Sequence, residues 1–161
     1  MSPLSHAIPK FLSNPQYAVE RHVRLSHSVN IALPIGSTIL DWDTAIRDTE
    51  NMHDPAGLST RITFSHRGWY MFGAGVRFAA NTSGHYRLID IRLNGITVIA
   101  RKWAALGGMF TPLEEICMGS RYFSDGDYIE VIAIHNATVT LNSEGFVDRV
   151  PLFWAARIHA P

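Results

Sequence analysis

Trp69-Tyr-Met-Phe-Gly-Ala-Gly-Val-Arg-Phe-Ala-Ala80 is the stretch on which the fold turns. Read with the two-residue period of a pleated strand, it sends Tyr70, Phe72, Ala74, Val76 and Phe78 to one side and Trp69, Met71, Gly73, Gly75 and Arg77 to the other. The first set is large and apolar, which marks a core face. The second is small and mixed, so that side either meets solvent or lets another backbone approach closely at Gly73 and Gly75. No helical spacing of apolar residues competes with this pattern.

Outward from this stretch the same period recurs from Arg21 on, in short apolar runs separated by Gly, Asn, Asp and Pro. Strands are expected over residues 22–33, 37–42, 59–65, 68–80, 85–93, 96–104, 113–123, 127–135, 138–142 and 151–159. Asn94-Gly95 reads as the clearest hairpin turn, because both central residues of such a turn need positive φ and these two tolerate it; Asp125-Gly126 is a second. About ten strands without a helix predict an all-β fold, an antiparallel β-sandwich, and a jelly roll fits that count.

Two strands break the one-sided rule. Tyr128 to Ile134 is apolar on both faces except at Glu130, and Leu152, Phe153, Trp154 and Ile158 fall on alternating sides. A sandwich gives each strand one core face, so a second buried surface is implied, most economically a subunit interface. Tyr128, Ile132, Ile134, Phe153 and Trp154 are the candidates for it.

Composition sets the outer limits. With 161 residues, 47% of them apolar and 17% charged, the chain holds one core. Residues 1–20 read as an arm and residues 21–161 as the domain. Pro3, Pro9 and Pro15 keep the arm out of any regular element, yet Ile8, Phe11, Leu12 and Tyr17 make it too apolar for a solvated tail. It either folds back on its own domain or docks on a neighbouring subunit or larger assembly. Fourteen Lys and Arg against fourteen Asp and Glu leave no net charge to draw the chain to nucleic acid or to an anionic membrane. Neither a secretion signal nor an apolar run of the roughly 20 residues that span a bilayer is legible, so a soluble, cytoplasmically made chain is expected.

No constellation for chemistry emerges. The eight histidines are scattered without a ligand spacing, and Cys117, the single cysteine, sits in an apolar strand with nothing to activate it. Asp41 and Asp43 flank Trp42, and Asp125 and Asp127 flank Gly126, but neither pair belongs to the six- to eight-oxygen series that calcium needs. The expectation is no enzyme, no catalytic residue, no metal and no cofactor. Arginine outnumbers lysine twelve to two, and Arg77, Arg87, Arg92 and Arg157 lie in expected strands, where each must face solvent, a partner or a carboxylate such as Asp90 or Glu130.

Ile62-Thr-Phe-Ser-His-Arg-Gly-Trp-Tyr-Met-Phe resembles the signature of the complement globular-head and tumour necrosis factor jelly rolls, with Gly68, Tyr70, Phe72 and, further along the strand, Phe78 in the core positions. Arg92-Leu-Asn-Gly and Ser124-Asp-Gly-Asp-Tyr-Ile-Glu-Val follow in family order. A branch found as virion proteins of tailed bacteriophages is similar at Asn51-Met-His-Asp54, Val76-Arg-Phe-Ala-Ala-Asn-Thr-Ser-Gly84 and Ile91-Arg-Leu-Asn-Gly-Ile-Thr-Val-Ile-Ala100. The resemblance implies a TNF-like jelly roll, a homotrimer with its N-termini gathered at one end, and no chemistry. It further implies a structural protein located in the virion: a head decoration or fibre-like appendage, anchored by its arm on the major capsid protein or another virion protein. The alternative is a receptor-binding module whose loops near 104–111 and 142–149 recognise a host-surface glycan or protein.

Overall fold

Twelve strands and no helix make up the residues that the computed structural model describes, which are 22–105, 111–145 and 151–159. They are β1 (His22–Ser26), β2 (Ile31–Leu33), β3 (Gly36–Ile39), β4 (Thr44–Asp48), β5 (Arg61–Thr63), β6 (Gly68–Phe78), β7 (Tyr86–Leu93), β8 (Thr97–Ala105), β9 (Leu113–Phe123), β10 (Tyr128–His135), β11 (Leu141–Ser143) and β12 (Leu152–His159). A seven-stranded sheet runs β2-β11-β6-β12-β1-β4 with β9 on the far edge of β6; a five-stranded sheet runs β3-β10-β7-β8 with β5 also on β10. Pairing is antiparallel throughout. The attachment-arm candidates Ile8, Phe11, Leu12 and Tyr17 lie outside the described residues, as do 106–110 and 146–149 of the two candidate recognition loops.

The sequence pattern and the structure differ at the start of the domain. The run expected as one strand over 22–33 is two, interrupted at His27–Asn30. Asp43, from the far side of a long excursion, accepts from the Ser28 amide at 2.9 Å and from its hydroxyl at 2.9 Å. His27 donates from Nδ1 to the Val29 carbonyl at 2.8 Å. These bonds satisfy the chain locally and take it out of the ladder. β4 was not legible in the sequence. It pairs with β1 through a bulge that leaves Ile46 between Arg47, opposite Arg24, and Ala45, opposite Leu25, and the extra residue breaks the two-residue period.

The core lies between the sheets. Tyr70, Phe72, Ala74, Val76 and Phe78 all point into it and are buried. They meet Ile89, Ile91, Ile129, Val131 and Ala133 from the five-stranded sheet in one continuous cluster. At one end Phe64 stacks on Phe123 at 4.0 Å, and Tyr70 packs edge-on against Phe64 at 4.7 Å while its hydroxyl donates to the His66 carbonyl at 2.8 Å. Such a set supplies apolar burial with its one polar tip satisfied.

Turn chemistry follows the residues. Asn94 and Gly95 have φ of 51° and 74°, both in the left-handed region the two-residue hairpin demands. In the second turn only Gly126 is left-handed, at 84°. The two turns are joined: Asn94 donates from Nδ2 to Asp127 at 2.9 Å and accepts the Tyr128 amide at 3.0 Å.

A candidate oligomerisation face

Each sheet has an outward face, and the two are built differently. On the five-stranded sheet the register sets Ile132 beside Asp90 and Asp90 beside Arg101, and sets Glu130 between Arg61 and Arg92. Asp90, wholly buried, is gripped through both oxygens by Arg101 at 2.6 and 2.8 Å and approached by Arg92 at 3.6 Å. Glu130 receives Arg61 at 3.0 Å, and the Arg61 guanidinium lies over the Tyr128 ring at 3.9 Å. Although Trp103 and Ile39 are exposed there, the middle of the sheet is tiled with closed ion pairs.

On the seven-stranded sheet the register places Trp69 beside Tyr122, Met71 between Ala156 and Ser120, Gly73 between Trp154 and Met118, and Gly75 between Leu152 and Ile116. Trp69 is 47% exposed, Met71 44%, Ile116 51%, Met118 64% and Tyr122 41%, so the outward side of β6 and its edge neighbour β9 is apolar and open. Its charges sit at the borders: Arg77 pairs with Glu114 and Glu144 at one end, and Arg24 and Arg47 face each other across β1 and β4. A recess of about 470 Å³ beside Trp154 is lined by His22, Arg24, Ala156 and Arg157, among others.

Gly73 explains how this face is laid down. A Cβ there would sit 2.9 Å from the Met118 Cγ and 2.9 Å from the Trp154 indole carbons. Both side chains cross the glycine, which answers the expected close approach: what comes near is side chain of the same protomer.

The interface candidates therefore do not share a surface. Trp154 lies half-buried in the open apolar face. The expectation for Phe153 is corrected: it is fully buried in the core, 5.3 Å from the Trp42 ring, because its neighbour in register is the inward-facing Ala74. Ile132 is corrected as well; at 1% exposure, ringed by its own protomer, it has no area to offer. Tyr128 and Ile134 belong to the outward face of the other sheet, half-buried. Ile116, Met118 and Tyr122 were missed, although apolar residues at both parities of 113–123 carried the same signal as those of β12.

The arginines also sort by surroundings. Arg77 and Arg92 meet carboxylates as expected. Arg87 does not: it is 2% exposed and donates to the Tyr86 and Ser83 carbonyls at 2.9 and 3.2 Å, and burial lowers the proton affinity of its guanidinium. Arg157 donates to the Arg67 carbonyl.

Among the described residues two serine–histidine contacts have the outline of a nucleophile site: Ser65 Oγ lies 3.0 Å from His66 Nδ1, but Glu50 meets that same nitrogen rather than the far side of the ring, and the other pair is Ser143 and His27. Since the Val29 carbonyl takes the Nδ1 proton, Nε2 is left to accept from Ser143 Oγ at 3.0 Å, and burial pushes the His27 pKa down, favouring the neutral ring. Ser143 and His27 are 0% and 1% exposed, so no substrate reaches the hydroxyl. Cys117 is buried, with its thiol pushed up to about 12 by burial first and by Asp90 after it, which keeps it protonated and inert. Asp127 is committed to the Ser124 amide at 2.8 Å and to Asn94, and Asp125 to the Arg67 amide. Asp43 is committed to Ser28 and Thr44, and Asp41 to the Ser59 hydroxyl at 2.8 Å. Among the described residues no group of three or more His, Cys, Asp or Glu could hold a metal ion.

No family model matches this chain, and no curated protein matches it. Solved structures do. Eiger TNF from S. frugiperda superposes with a TM-score of 0.68 at 8% identity, over 88% of this chain and 94% of that one. Murine APRIL at pH 5.0 gives 0.61 at 12% identity, over 86% and 99%. Identities this low establish the fold, which is a TNF-like jelly roll of two antiparallel sheets.

Proposed function

We propose that this chain is a non-enzymatic structural protein of a bacteriophage virion, a homotrimer built through the apolar outward face of β9, β6 and β12 and held on the particle by its N-terminal arm. The observation that carries the trimer is that open face. Exposed Trp, Met, Ile and Tyr side chains there lie on the neighbouring strands β6 and β9, with the half-buried Trp154 of β12 beside them, where the opposite sheet closes its own surface with ion pairs. A patch of this kind is stabilised when covered, and a ring of identical chains covers every copy. The virion assignment rests on the residue motifs at 51–54, 76–84 and 91–100, since a fold by itself does not specify a function.

The test is the mass in solution. Light scattering at micromolar concentration is expected to return three times the 18.0 kDa of the chain, and Trp154→Asp is expected to return a folded single chain, because Trp154 lies outside the core. A single chain for the native protein would remove the trimer. Antibody labelling of purified particles in the electron microscope tests the virion assignment separately; unlabelled particles would overturn it.

A further inference from the structure

The Asn51-Met-His-Asp54 segment plays no part in the oligomerisation face, yet Met52, His53 and Asp54 each close a contact. Asn51 takes a left-handed φ of 53°, Met52 is buried in the core, and Asp54 accepts from the Ala56 and Gly57 amides at 3.0 and 3.1 Å. One Asp48 carboxylate gathers the amides of Glu50, Met52 and His53 at 3.2, 3.0 and 2.9 Å. Main-chain bonds from Thr63 to Met52 at 2.7 Å and from Trp42 to Ser59 at 3.0 Å stitch the segment to its surroundings.

His53 is the centre of this arrangement. Its side chain is buried, with Nδ1 2.9 Å from the Arg61 carbonyl and Nε2 2.8 Å from the Trp42 carbonyl. A carbonyl oxygen only accepts, so each ring nitrogen must donate, and a neutral imidazole has one N–H to give. The other buried histidines differ. His135 faces the Leu33 carbonyl with Nε2 but accepts the Ala137 amide on Nδ1, and His27 faces one carbonyl and one hydroxyl. Both patterns suit a neutral ring; that of His53 suits the imidazolium.

We propose that His53 is a doubly protonated clamp holding the 49–60 connection shut between Trp42 and β5, and that this connection is a strap loosened when rising pH strips one of the two protons. Loss of either N–H would turn a lone pair toward a buried carbonyl and leave that carbonyl without a donor. The elements packed around the ring carry Asp48 from β4, Asp41 and Asp43 flanking Trp42, Glu50 and Asp54 within the strap, and Glu130 behind Arg61. The basic groups on them are Arg47 from β4, Arg61, and His66, which meets Glu50 at 3.3 Å.

Long-range imidazole nitrogen spectra of the full, labelled chain read the proton count directly. At about pH 6 His53 is expected to show two protonated nitrogens, because a carbonyl faces each of them. Between there and about pH 9 the Trp42 and Thr63 amides are expected to open on the order of tenfold more often, once intrinsic exchange is divided out, as loss of one buried hydrogen bond predicts. A single neutral tautomer at the lower pH, or opening that does not change, would overturn the clamp. His53→Gln retains one donor, so its deficit in stability against the native chain should shrink as pH rises; a deficit independent of pH would also overturn it. His27 is common to both chains and cancels. If His53→Gln does not fold, the imidazole spectrum of the native chain decides alone.

Discussion

Phe72 and Trp69 are three residues apart on one strand, and opposite fates follow from parity alone. Phe72 points inward at 1% exposure, 5.6 Å from the Phe123 ring, whereas Trp69 points outward at 47%. Phe72→Ala is expected to cost about 3 to 5 kcal/mol, the range for a buried ring and its cavity, and Trp69→Ala much less in a protomer held apart from its copies. Denaturant melts of both variants on a monomeric Trp154→Asp background check the ranking. His27 gives the residue scale its pH dependence. Burial lowers its pKa from 6.5, so the unfolded chain takes up the proton first, and the stability that the neutral ring contributes is present above 6.5 and lost as pH falls below it. Melting temperature is expected to drop on this acid limb, and His27→Gln to flatten the drop. An equally steep limb in the variant would assign it to other groups.

At the scale of the element, β6 shows how one strand serves two surfaces. Its inward residues build the core, and its outward glycine lets Trp154 and Met118 lie flat over the sheet. Gly73→Val is expected to lift both side chains, because its Cβ would stand 2.9 Å from each, and so to weaken assembly more than folding. Sedimentation across a dilution series should show dissociation at higher concentration than the native chain, with a protomer loss smaller than that of Phe72→Ala. If assembly were untouched, the face would not be the interface. β10 makes the contrasting case: its outward Glu130 and Ile132 are covered within the protomer by Arg61, Arg92 and their neighbours, so apolar residues on both sides of a strand do not by themselves mark a partner.

At the scale of the whole molecule, residues 1–20 carry the proposed attachment to the particle. On the proposed virion role, deleting residues 1–20 is expected to leave a folded trimer with a similar melting temperature and to abolish recruitment to the particle, because the sequence there pairs prolines with apolar residues that need cover. Scattering, thermal melts and particle pull-down measure the three outcomes. Retention on particles would move the attachment surface to the jelly roll, and loss of folding would make the arm part of the protomer's own core.

The two-residue period and the turn residues were enough to determine an all-β sandwich, the inward set on β6 and the hairpin at Asn94-Gly95, since pleat geometry and positive φ are local properties of the chain. Three things needed the tertiary structure. The break at His27–Asn30 depends on Asp43, and β4 on a bulge against β1, partners that no local pattern names. Parity showed that β10 and β12 each had two apolar sides, but register alone put Phe153 inward, sent Trp154 to the same face as Met118, and gave Ile132 to the other sheet. His53 was one of eight scattered histidines; only folding brings the Trp42 and Arg61 carbonyls to its two nitrogens. Alternation says on which side of its own strand a residue lies, and long-range pairing decides what that side meets.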